Sequence, residues 1–170
     1  MHIVLLLARI VHIGCGIYWV GAVFFINIFL GPSLDDAGPS GMSVMRAMKA
    51  RKYFEFIIVM ATLTILAGLY LVWVDSAGFD PTWFRGAFGQ AISVGMLLAI
   101  IAYILGVFVL KPRLNQLGAA GMQLAQATDA TRAALTAEMN AARQRVKSVS
   151  IVAMVLLLIV VVSMAVARYL

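Results

Sequence analysis

Charge is scarce in this chain. Of 170 residues, 12% are charged, only seven are acidic and two are histidine, while 64% are hydrophobic. A water-soluble domain carries about 25% charged residues and about 45–50% apolar ones, so this chain lacks the polar side chains needed to cover a water-facing surface. A single cysteine excludes an internal disulfide and a thiolate-built metal cluster. Within its apolar run, Cys15 reads as a small buried hydrophobe. The sequence also lacks a glycine-rich phosphate loop, a Cys-x-x-Cys pair, a His-Glu zinc motif, a nucleophile elbow and any solenoid repeat. None of the usual soluble-enzyme sites is written in it.

What the chain has is length of apolar sequence. Runs at about Ile3–Leu30, Tyr53–Val74, Ala87–Leu110 and Val149–Leu170 each reach the roughly 20 residues a helix needs to cross hydrocarbon. The expectation is an all-α fold, a four-transmembrane-helix bundle forming a single integral membrane domain over 1–170, with the lipid bilayer as its surroundings. The first run reads as a retained first helix and not as a signal peptide. No Lys or Arg precedes its apolar stretch, which continues past any plausible cleavage point.

Basic residues gather in two connections. Arg46, Lys49, Arg51 and Lys52 lie between the first and second runs, and Lys111, Arg113, Arg132, Arg143, Arg145 and Lys147 between the third and fourth. The positive-inside rule places both connections in the cytoplasm and both termini outside, in a multi-pass plasma (inner) membrane protein. A basic rim against anionic lipid accounts for most of the net charge of +6 without a nucleic-acid partner. "GPSLDDAGPSG" opens the first connection and reads as turns, with helical pattern resuming at Ser43 and running into the second span. In the middle connection Asp80 and Pro81 read as a helix start, and Trp83, Phe84, Tyr70 and Trp73 as interfacial anchors.

In the third connection, Leu114, Leu117, Gly121 and Leu124, then Leu135, Met139, Ala142, Val146 and Val149, repeat at alternating steps of three and four. That is a coiled-coil seam. It predicts a cytoplasmic helical hairpin over about 111–148 that extends helices 3 and 4, its returning arm capped by Asp129. The other reading is an alanine-rich connector weakened by Gly118 and Gly121.

The first span holds the candidate site. On a helical wheel Arg9, His12, Gly16, Trp19 and Asn27 fall within about 80° of one another, with Gly14 and Gly21 opposite. Arg9 lies about 9 Å into the helix, where it either faces the bundle interior or snorkels to the surface. His12, about 5 Å deeper, is too short to snorkel. It is either a neutral histidine hydrogen-bonded to a neighbouring helix or a ligand for copper or haem iron. Depth counting brings Met96 and Met164 level with it, and thioether sulfur suits both Cu(I) and haem iron. Glu55, the one acidic residue well inside a span, reads as a rim ion pair with Arg51 or Lys52, or as a proton relay.

"HIGCGIYWVGAVFF" resembles the first helix of the copper resistance D (CopD)-like membrane proteins, where a histidine precedes Trp-hydrophobic-Gly by seven positions. Here these are His12, Trp19, Val20 and Gly21. "RKYFEFIIVMATLTILAGLYLVW" resembles that family's second helix, and "GVFVLKPRLNQL" the exit from its third. A similar first helix opens the HemJ-type protoporphyrinogen oxidases. Where both groups carry a lysine near the start of helix 3, this chain has Gln90 and Ser93. The resemblance implies haem b or copper held at His12, with Arg9 and Trp19 beside it, in a protein that aids metal handling or electron transfer. Two other functions fit the sequence: a HemJ-like porphyrinogen oxidase with Arg9 on a haem propionate, and a non-catalytic subunit that binds a second copy of itself or a larger membrane complex.

Overall fold

The computed structural model describes residues 2–170, without the side chains of Pro39, Ala125 and Asp129, so the expected cap at Asp129 lies outside the described residues. Helix is the only regular secondary structure among them, as the four apolar runs require. A backbone in hydrocarbon must satisfy its polar groups internally, and a helix does so within one segment. The elements are α1 (His2–Phe25), a π-helical turn (Ile26–Leu30), α2 (Gly31–Asp36), α3 (Pro39–Ala50), α4 (Tyr53–Asp75), a 3-10 turn (Trp83–Arg85), α5 (Ala87–Ile104), a second π-helical turn (Leu105–Leu110), α6 (Lys111–Ala125) and α7 (Asp129–Ala167). Four stretches are long and apolar enough to cross a membrane: His2–Asp36, Tyr53–Asp75, Ala87–Leu124 and Ala130–Ala167. The architecture is a multi-pass all-α bundle of four spans, two of which continue into a hairpin.

Three spans therefore outrun their apolar runs. "GPSLDDAGPSG" is mostly helical and not a string of turns: α2 continues α1, and the chain breaks at Ala37 and Gly38, where Gly38 has φ +54°. Both π turns lie just before a proline, Pro32 or Pro112. A proline inside a helix lacks the N–H and its ring crowds the carbonyl one turn back; a widened turn relieves that conflict without ending the helix. The second connection also differs from expectation. α3 does not run into α4, because Arg51 ends it and Lys52 takes a left-handed φ of +56°.

Close packing uses small residues, as expected where lipid supplies no hydrophobic drive between helices. α1 runs antiparallel to α4, setting His12 against Gly68 and Gly16 against Thr64 one turn on. α5 runs antiparallel to α7. Gly95 there faces Met164 and Ser163, and the Ser163 hydroxyl donates to the Ala91 carbonyl at 2.7 Å. Trp19, Ala61, Ala99, Ala102, Leu157 and Val160 form the central core. Tyr103 joins α5 to α4: the Thr62 hydroxyl donates to Ile58, so at 2.9 Å Tyr103 donates to Thr62. Outside this core, Ile3, Leu6, Ile17, Leu66, Leu97 and Phe108 are among many large apolar side chains left exposed, a surface suited to lipid and not to water.

The hairpin follows the sequence seam. Along α6 and α7 the residues Leu114, Leu117, Gly121, Leu124, Leu135, Ala142 and Val146 are half-buried, and Met139 is buried. The arms reverse at residues 126–128. α3 lies against them, with Met42 close to Gly121 and its sulfur accepting from the Arg143 guanidinium at 3.2 Å.

Candidate functional site

The site begins with one backbone carbonyl. His12 Nδ1 lies 2.8 Å from the Thr64 carbonyl oxygen of α4. A carbonyl only accepts, so Nδ1 carries the proton and donates it. Helix geometry already directs the amide of Gly68 at that same oxygen, which has a second lone pair to offer. Gly68 is what lets the imidazole reach it: a Cβ at this position would stand 2.8 Å from His12 Cε1 and 2.9 Å from Nδ1. The Thr64 side chain stays out of the way, its hydroxyl donating back to Met60 at 2.8 Å and its methyl 3.4 Å from where a Cβ on Gly16 would sit.

With Nδ1 donating, the second ring nitrogen, Nε2, is the one left for a ligand. Nε2 has no hydrogen-bond partner among the described residues and is not fully buried. His12 is thus bonded through Nδ1 to a neighbouring helix, as the first of the two readings expects, and Nε2 is left open.

The ring borders a partly open cavity of about 1010 Å³ lined by residues of all four spans. Arg9, His12, Trp19, Met96 and Met164 all line it. The five side chains come from α1, α5 and α7, and only the fold brings them to one space. They do not contribute equally. Trp19 is 5% exposed and belongs to the core, where it forms part of the wall between spans. Met96 and Met164 are half-buried, with Met164 fixed against Gly95. Arg9 is exposed, and lies at the end of the bundle where α1 starts and α4 and α7 finish. Asp75 and Arg168 line the cavity at that same end, giving it a charged rim above otherwise apolar walls. No group of three or more His, Cys, Asp or Glu side chains stands together among the described residues, so any metal here would rest on imidazole and thioether donors.

Two expected members are elsewhere. Asn27 lies fifteen residues beyond His12, about 22 Å along the helix, outside the cavity lining, and its amide donates to Val23 of its own helix at 2.8 Å. Glu55 is exposed and forms no ion pair among the described residues. A Cβ on Gly14 would meet nothing within 4 Å, so among the described residues no other helix packs on the back face of α1 there. The functional elements missed by sequence reading are the Thr64 carbonyl, Gly68, Asp75 and Arg168. Backbone carbonyls carry no residue signature, and the two charges join the site only through the ends of α4 and α7.

Fold and site together define a class: a multi-pass helical membrane protein with a mostly apolar cavity among its spans and one tautomer-fixed histidine on the wall. Beyond that class, no family model matches the chain, nor does any curated protein or solved structure.

Proposed function

We propose that this chain is a CopD-like integral membrane protein that binds haem b or copper at His12 and aids metal handling or electron transfer. The observation that carries the reading is the Nδ1–H donated to Thr64 at 2.8 Å. Metal-bound histidines characteristically donate their second ring nitrogen to a carbonyl or carboxylate, which fixes the tautomer and raises the basicity of the ligating nitrogen. Met96 and Met164 line the same cavity and supply soft sulfur.

Haem is the better match of the two. A lone ion would leave most of about 1010 Å³ unfilled, whereas ligand pockets for larger molecules run to about 1,000 Å³ and are mostly apolar. A porphyrin has apolar faces that suit these walls and ionised carboxylates that suit Arg9 and Arg168, which outnumber the single anion Asp75 at the rim. Bound haem would supply a one-electron couple; the chain's own part is to hold the ring nitrogen, exclude water with apolar walls and neutralise the carboxylates. Arg46, Lys49, Arg51, Lys52, Lys111, Arg113, Arg145 and Lys147 all lie at the opposite end of the bundle, which supports cytoplasmic loops, external termini and a plasma-membrane location.

The test is the absorption spectrum and metal content of protein purified in mild detergent. The expected result is a Soret band that His12→Ala abolishes. Copper without a Soret band moves the assignment to a His/Met copper site, and porphyrinogen oxidation by the purified protein moves it to a HemJ-like enzyme. A colourless, metal-free protein that co-purifies with a stoichiometric partner overturns the proposal in favour of an accessory subunit.

A further inference from the structure

The opposite end of the molecule carries a second cleft, unrelated to the His12 cavity. It is shallow, about 630 Å³, and is lined by Arg113 of α6 and by Ala141, Gln144, Arg145, Ser148 and Val149 of α7. The α7 residues recur at three and four, so they form one helical stripe facing Arg113. Arg113 is half-buried and Arg145 exposed. Neither guanidinium has an ion pair or hydrogen bond among the described residues.

Among the described residues no carboxylate lines the cleft, and the sequence places none between Asp80 and Asp129. On α7 the nearest acid is Glu138, two turns from Arg145 and about 10 Å along the axis. The Ser148 hydroxyl donates to the Gln144 carbonyl at 3.1 Å, so the donors free to meet a ligand are two guanidiniums and the Gln144 amide. A half-buried cation without a counter-charge is costly, and paired planar guanidiniums are matched to tetrahedral oxyanions.

The level of the cleft says which oxyanion. Arg113 follows the apolar run that ends at Leu110, and Val149 opens the apolar run of α7, so the cleft straddles the point where both helices leave hydrocarbon. Its wall passes from arginine to Val149 within one turn. A free anion has no use for the apolar part, whereas a phospholipid has a chain to lay beside it.

We propose that Arg113 and Arg145, with Gln144, form a binding site for the phosphate of an anionic phospholipid at the base of the hairpin. The site clamps α6 to α7 through the headgroup. It stands independently of any cofactor at His12.

Native mass spectrometry of the full chain in detergent tests this, with phosphatidylglycerol, phosphatidylcholine and inorganic phosphate as separate probes. The wild type retains phosphatidylglycerol in preference to both others. At about tenfold or more for each charge-assisted guanidinium–phosphate contact, R113Q/R145Q weakens it by about a hundredfold. R46Q/R51Q removes the same charge from exposed positions of α3 and its border and has a far smaller effect. Equal losses in the two double variants overturn the proposal in favour of diffuse attraction. Equal binding of phosphatidylcholine, or inorganic phosphate bound as tightly as the lipid, overturns it too. Should R113Q/R145Q fail to fold, R113K/R145K replaces it: the charge stays but the fork is lost, so weaker lipid retention is expected and unchanged retention refutes the site.

Discussion

Replacing Gly68 by alanine isolates the contact on which the cavity reading rests. The new Cβ would lie 2.8 Å from His12 Cε1 and 2.9 Å from Nδ1, short of carbon–carbon contact by about 0.7 Å. Relief has two routes. If the backbones of α1 and α4 separate, the cost is that of overpacking, about 1–3 kcal/mol. If the ring swings into the cavity it borders, it loses its bond to Thr64. Hydrogen bonds between membrane helices average about 0.6 kcal/mol and reach about 1.7. The second route is cheaper, because one side of the ring is open. The expected loss of stability is therefore about 0.6–1.7 kcal/mol, roughly threefold to eighteenfold in the unfolding equilibrium. Function suffers more. Freeing the Nδ1 proton removes the support of the ligating nitrogen, a change that lowers metal affinity by about 10- to 100-fold elsewhere. The assay is unfolding in mixed micelles titrated with a denaturing detergent, run alongside cofactor retention. Gly14→Ala is the control, since nothing lies within 4 Å of its Cβ, and should stay within about 0.5 kcal/mol of wild type. In a His12→Ala background the Gly68→Ala penalty should vanish, because the clash has lost its partner. A Gly68→Ala protein as stable as Gly14→Ala, with no coupling to His12, would refute the packing of imidazole on Gly68.

Two further expectations concern the frame around the site. Tyr103→Phe removes the hydroxyl that Thr62 accepts at 2.9 Å and should cost about 0.6–1.7 kcal/mol; Thr62→Val added to it should cost little more, since the pair acts as one bond. At the opposite end from the hairpin, Asp80 accepts from the backbone N–H and the hydroxyl of Thr82, both at 2.8 Å, and the backbone bond, then the hydroxyl, holds its carboxyl below the usual range. A depressed carboxylate stabilises the fold above its ordinary titration and loses that contribution as pH falls. The turn leading to Trp83 should therefore loosen below about pH 4, visible as a shift of the Trp83 indole resonance that Asp80→Asn does not show.

The spans and the hairpin were legible from the sequence because both depend on patterns along a single helix. Apolar length sets a span, and steps of three and four set a seam, so Leu135, Met139 and Ala142 turned inward as their spacing required. Local punctuation misled where the chain overrode it. Gly31 and Pro32 read as a turn, yet a π-helical turn before them carries the helix through to Asp36, and Asn27, on the same stripe as His12, lies about 22 Å further along the axis. Glu55 read as half of a pair with its basic neighbours, but sequence proximity does not fix rotamers at an exposed rim.

The sequence by itself determined that this is a lipid-embedded bundle of four helices, that most of its cations gather at one end, and that one histidine lies within the first apolar run. Those properties follow from composition and from 3.6-residue periodicity, which any stretch of chain carries alone. Only the tertiary structure decided what His12 meets. Its partner is a carbonyl with no residue identity, reached through the missing side chain of Gly68 on a helix more than fifty residues away. The cavity that gathers His12, Met96 and Met164 likewise exists only once all four helices have packed, because spacing along one helix cannot specify which faces of three others will close around it.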